Sequence, residues 1–214
     1  MRNLMRGLER VILLVILLTL PAKAEWVTIR IEGVIEGVSD YFNILEGKVD
    51  VCDTFTGWYT YDTSTPDTSI NENESAHVHN SQPAGVHIDI GGLSFESDPE
   101  NLYFAIGIAN NYLDDGYGFS SHNIISNDES VPVQAISWWL TDPTGNAISS
   151  TALTTEPPIL ENWLYNNLYI GSPAMKYEIQ GHVTSAIPEP ATLLLLAIGS
   201  FGLCERKISG RKNN

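Results

Sequence analysis

Val27-Thr28-Ile29-Arg30-Ile31-Glu32 opens the decisive stretch, which continues as Gly33-Val34-Ile35-Glu36. Val27, Ile29, Ile31 and Ile35 share one face of a period of two, and Thr28, Arg30, Glu32 and Glu36 share the other. Side chains of a strand alternate between faces, so this pattern predicts a strand lying between a core and water. The alternation recurs downstream. Val86, Ile88 and Ile90 alternate with His87 and Asp89, and Tyr177, Ile179, Gly181 and Val183 alternate with Lys176, Glu178, Gln180 and His182. Residues 49–62, 93–96, 102–109, 133–141 and 168–171 are further strand candidates, rich in β-branched and aromatic types.

Turn chemistry separates these runs. Gly91-Gly92 reads as a hairpin connection, and Asp142-Pro143-Thr144-Gly145 reads as a β-turn with Pro at its second position. Residues 158–167 alone could hold a helical turn or two. Residues 63–83 and 110–131, crowded with Ser, Thr, Asn, Asp and Gly, read as long exposed loops. Many short strands joined by turns predict an all-β chain: an antiparallel β-sandwich, jelly-roll-like, whose first and last strands pair.

The two ends differ from this middle. Arg2, Arg6 and Arg10 precede an apolar run over residues 11–20, and Ala22-Lys23-Ala24 offers small residues at the positions signal peptidase reads. Residues 1–24 are therefore expected to be a signal peptide, cut so that the mature chain begins at Glu25. At the other end Pro188, Glu189 and Pro190 form a stiff, extended step within residues 187–192. Residues 191–204 are apolar apart from Thr192 and Ser200, and the tail over 205–214 carries Arg206, Lys207, Arg211 and Lys212. A helix of that length rises about 21 Å against roughly 30 Å of hydrocarbon, so it would be a short transmembrane helix. Its basic tail would stay cytoplasmic, with the passenger, residues 25–186, on the far side.

Pro-Glu-Pro, a short Leu/Ala/Gly helix and a terminal Arg/Lys cluster, in that order, resemble the PEP-CTERM sorting signal. The resemblance implies recognition by an exosortase, a membrane enzyme that removes the tail. It also implies a diderm bacterium making extracellular polysaccharide, with the product at the cell surface or in the exopolysaccharide matrix. Residues 55–62, 114–119 and 140–145 resemble more loosely other exported passengers of this kind, and that likeness carries no catalytic residue.

The whole chain of 214 residues has 11 Lys and Arg against 26 Asp and Glu, a net charge of −15. That balance repels phosphate and excludes a basic nucleic-acid binder. The passenger is more acidic still. It keeps Arg30, Lys48 and Lys176 as its only Lys or Arg, while only Glu9, Glu189 and Glu205 of the acids lie outside it, so its net charge is −20. Cys204 lies in the tail, which leaves Cys52 without a partner for a disulfide, between Asp50 and Asp53 that disfavour a thiolate. A buried or idle thiol is expected.

Candidate chemistry is sparse. His77-Val78-His79, with His87 beyond, could present two imidazoles to Zn²⁺, but the polar surroundings and the absence of HExxH favour structural histidines. Asp114 and Asp115, in the run Asn110 to Gly116, are weak Ca²⁺ candidates without EF-hand spacing, and no other cofactor is expected. Trp58 and Trp139 are candidates for stacking on a sugar; neighbours in a strand face opposite ways, so one of Trp138 and Trp139 must point outward. No G-x-S-x-G, C-x-x-C, P-loop or G-x-G-x-x-G occurs, so the expectation is a non-enzymatic structural or adhesive protein. A carbohydrate-binding module is the alternative, and a polysaccharide-active enzyme the third reading.

Overall fold

The computed structural model describes residues 26–111 and 114–189. Eleven strands follow in chain order: β1 (Trp26–Asp40), β2 (Thr54–Asp62), β3 (Glu74–His79), β4 (Gly85–Ile90), β5 (Leu93–Ser97), β6 (Tyr103–Asn110), β7 (Asp115–His122), β8 (Ile124–Ser126), β9 (Ala135–Asp142), β10 (Tyr165–Gly171) and β11 (Tyr177–Pro188). They form one sheet in the order β3-β6-β7-β9-β10-β11-β1-β2-β4-β5-β8, antiparallel throughout. The expected all-β architecture is therefore present, with both layers drawn from a single continuous sheet.

The sheet doubles over at its two longest strands. β1 has 15 residues and β11 has 12, and their pairing shifts between Glu32 and Gly33 and between Ile35 and Gly37. Such bulges bend a strand and increase its twist. Gly33 sits at the first bend, where a Cβ would meet the ring of Phe55 and the carbonyl of His182. The arm β2-β4-β5-β8 then covers the arm β10-β9-β7-β6-β3.

Aromatic residues fill the space between the arms. Tyr59 of β2 lies 4.9 Å from Phe119 and 6.0 Å from Trp138, ring centre to ring centre. Its hydroxyl is 3.0 Å from that of Tyr117, so one hydrogen bond crosses the two layers. Burial raises the pKa of both phenols, that of Tyr117 to about 12. Ser97 of β5 and Ser121 of β7 make a second such bond at 2.8 Å. Ile29, Ile31, Ile88, Phe95, Phe104 and Ile179 are among the fully buried side chains around this centre.

Most expected strands occur, and the first and last pair from Ile29 with Pro188 to Asp40 with Tyr177. Gly91 and Gly92 join β4 to β5, both at positive φ, and Gly145 N–H donates to Asp142 O in the expected turn. Three strands correct the loop assignments. β3 lies within 63–83, and β7 and β8 lie within 110–131. Polar Ser75, His77, His79, Asp115 and Ser121 are buried among them beside Tyr117, Phe119 and Ile124, and Gly116, Gly118 and Ser120 take the outward places of β7, which flattens the hydropathy period. Residues 49–53 are not part of β2: Asp53 N–H donates to Asp50 O, and Cys52, at φ 77°, is exposed rather than buried. One 3-10 turn, Leu160–Asn162, falls in the helical window, and a second, Pro173–Met175, lies outside it.

Candidate functional site

Two places carry the functional reading: the end of β11 and the outward faces of the doubled sheet. β11 does not stop at residue 186. Ile187 pairs with Arg30 and Pro188 with Ile29, and the Glu189 N–H donates to the carbonyl of Thr28 at 2.9 Å. Proline brings no donor to a ladder, so that bond from Glu189 is what holds the strand end beyond Pro188. The domain therefore runs into the Pro-Glu-Pro step without a spacer, beside the start of β1. Ala22 and Ala24, Pro190, the apolar run 191–204, and Arg206, Lys207, Arg211 and Lys212 lie outside the described residues. Among the described residues no helix is long and apolar enough to cross a membrane.

Trp138 and Trp139 divide as alternation requires. Trp138 is fully buried, and its Nε1–H donates to Asn166 Oδ1 at 2.8 Å. Trp139 is 42% exposed on the outside of β9. Its neighbour across β7 is Gly118, which in turn pairs with Gly107 of β6. A Cβ at Gly118 would stand 2.8 Å from Trp139 Cε3, and one at Gly107 would stand 3.0 Å from Cη2. The indole thus lies across two strands, over positions where glycine leaves it room.

The rows beside it are small and neutral. Ala105, Ser120, Ser137 and Tyr169 form one row, and Ala109, Gly116, Thr141 and Tyr165 form the other. Asn167 continues the row of Trp139, and Tyr103 packs on His122 beyond, with ring centres 5.5 Å apart. Strand spacing makes this face about 20 Å across. Its outward strand positions hold no Asp, Lys or Arg and a single Glu, Glu74 on edge strand β3.

The opposite outward face is charged. Arg30 pairs with Glu32 at 2.9 Å and His182 with Glu36 at 2.8 Å. Trp58, 37% exposed, stacks on His87 with ring centres 5.3 Å apart and planes 6° apart. His87 Nε2 lies 3.0 Å from Asp89, and Nδ1 lies 3.6 Å from Glu96. One candidate tryptophan is thus stacked on a histidine among carboxylates, and the other rests on bare backbone.

His77 and His79 both point inward from β3. Asp62 N–H donates to His79 Nε2 at 3.1 Å, so the ring is neutral with its proton on Nδ1, which faces His77 O at 3.2 Å. Burial lowers the pKa of His79 below its ordinary value. His77 Nδ1 donates to Thr65 O at 2.8 Å, and its Nε2 is buried without a hydrogen-bond partner. Asp114 is exposed, whereas Asp115 is buried and accepts the Ile148 N–H at 3.0 Å, so the two carboxylates do not converge. Asp142, opposite Asp115, accepts from Thr144 and Asn146, which lowers its pKa. Among the described residues no group of three or more His, Cys, Asp or Glu could hold a metal ion.

The glycine pair Gly107 and Gly118 is the feature sequence reading missed. Glycine at alternate positions of a strand, 107 in β6 and 116 and 118 in β7, was its visible signal. The family model of the PEP-CTERM protein-sorting motif matches residues 186–207. No curated protein and no solved structure matches the chain.

Proposed function

We infer that the passenger of this chain, which carries a PEP-CTERM sorting motif, is a structural and adhesive module of the cell surface or of an exopolysaccharide matrix. The motif implies export, a membrane-held intermediate and an exosortase as processing partner. A signal peptidase acting after Ala24 belongs to the same route. One observation carries the display role: the closing strand of the domain enters the motif directly, with Glu189 bonded to Thr28 and no spacer between. A domain held at that one corner leaves both outward faces of its sheet free.

The acidity of the passenger supports the reading. Charge of one sign keeps an exported module soluble and away from anionic membrane surfaces. Fractionation of the producing strain tests the proposal. The chain should be recovered from the surface or matrix fraction, and it should accumulate in the inner membrane when the exosortase is deleted. Recovery of the full-length chain from the cytoplasm of the unmodified strain would overturn it.

A further inference from the structure

We propose that the outward face of β6, β7 and β9 binds a neutral polysaccharide, with Trp139 as its stacking platform. The proposal deepens the adhesive reading above and rests on it.

An indole that stands up from a strand offers an edge; one that lies down offers a face. Gly107 and Gly118 remove the two Cβ atoms that would prop the ring up, so its six-membered ring rests on backbone and its other side meets water. Pyranose rings expose flat patches of C–H, and such patches pack on the negative face of an aromatic ring. A sugar so placed also needs partners for its hydroxyls. Ser120, Ser137 and Asn167 stand one position away on the same face and offer donors and acceptors without charge.

Charge then selects the class of polymer. Around an otherwise acidic passenger, this face carries Glu74 at one edge and borders Glu178 of β11 beside Tyr169 at the other, so an acidic polysaccharide would meet repulsion and find no Lys or Arg on the face to offset it. A neutral glycan meets neither penalty. The same charge disfavours a second copy of the chain, because two bodies of −20 would be brought together on a surface that offers no ion pair. Trp58 offers no comparable platform, since His87 stacks on it and is itself held by Asp89 and Glu96.

Affinity electrophoresis tests this on the exported chain purified in mild detergent. Native gels would contain hydroxyethyl cellulose, glucomannan or dextran as neutral probes and alginate as the acidic one. Retardation by at least one neutral probe, with none by alginate, is expected. Trp139→Ala should weaken that binding at least about tenfold. Gly107→Ala, which places a methyl under the ring edge and meets no backbone atom closer than 4.0 Å, should weaken it by a smaller factor. Trp58→Ala should leave it unchanged, and thermal melts should show each variant folded. No retardation by any neutral probe, equal retardation by alginate, or binding that survives Trp139→Ala would overturn the proposal. So would a concentration-dependent dimer abolished by Trp139→Ala, which would make a second copy the occupant. A chain that reaches the matrix and yet fails these gels leaves the display reading standing and removes this one.

Discussion

Replacing Trp138 and Trp139 separately by Phe tests the pleat of β9 with two changes of identical chemistry. Trp138→Phe removes a nitrogen and two carbons from a fully buried ring. The bond from Nε1 to Asn166, 2.8 Å long, is lost at about 1 kcal/mol. The missing carbons cost about 0.8 kcal/mol each in burial, and part of the void remains, so the sum is roughly 2–3 kcal/mol. For a domain of this size each kcal/mol moves the midpoint about 2–4 °C, which puts the expected fall at roughly 4–12 °C. Trp139→Phe acts at the surface, should stay within about 0.5 kcal/mol, and should move the midpoint by less than about 2 °C. Thermal melting followed by near-ultraviolet circular dichroism measures both. Equal losses, or a larger loss at 139, would mean that β9 is paired one residue out of register, and every face assignment would reverse with it.

Other perturbations have defined outcomes. Asn166→Ala breaks the clasp in which the Asn166 amide accepts from Trp138 and Val183 N–H and donates to Val183 O at 2.7 Å; it should cost about 2–4 kcal/mol by denaturant unfolding. His79 is held neutral, with its pKa depressed, so its contribution is complete above the unfolded value near 6.5 and is lost as pH falls through the folded value. The melting midpoint should therefore drop as pH falls below 6.5, and His79→Gln should flatten that drop. Lys48, 2.7 Å from Asp128, holds that carboxyl down at about 2, so their bond stabilises the fold above pH 3.8 and is lost as pH falls toward 2. Lys48→Met should leave an acid unfolding curve shallower between those two values.

The legible parts of the fold were those where hydropathy and pleat agree. β1, β4 and β11 put Ile, Val and Tyr inward at nearly every second residue, so they could be read from sequence as strands, and the pairing of β1 with β11 could be anticipated. β3 and β7 could not, because their buried positions include His77, His79, Asp115 and Ser121, whose hydrogen-bond partners only the folded chain supplies, such as Thr65 for His77 Nδ1 and Ile148 for Asp115 Oδ2. The sorting motif at residues 186–207 was readable for a different reason: it is a short contiguous segment whose pattern lies in the sequence itself. The aromatic face was half readable. Alternation says that one of two adjacent tryptophans points out, but not which, and laying Trp139 over Gly118 and Gly107 depends on the register of three strands far apart in sequence.

Intact-mass analysis of the chain as it leaves the cell tests the account most directly. The account expects a polypeptide that starts at Glu25 and lacks the apolar run 191–204 with its basic tail. A mass that still extends to Asn214 would contradict it, because the terminal segment would then be a permanent anchor and not a sorting signal spent in delivery.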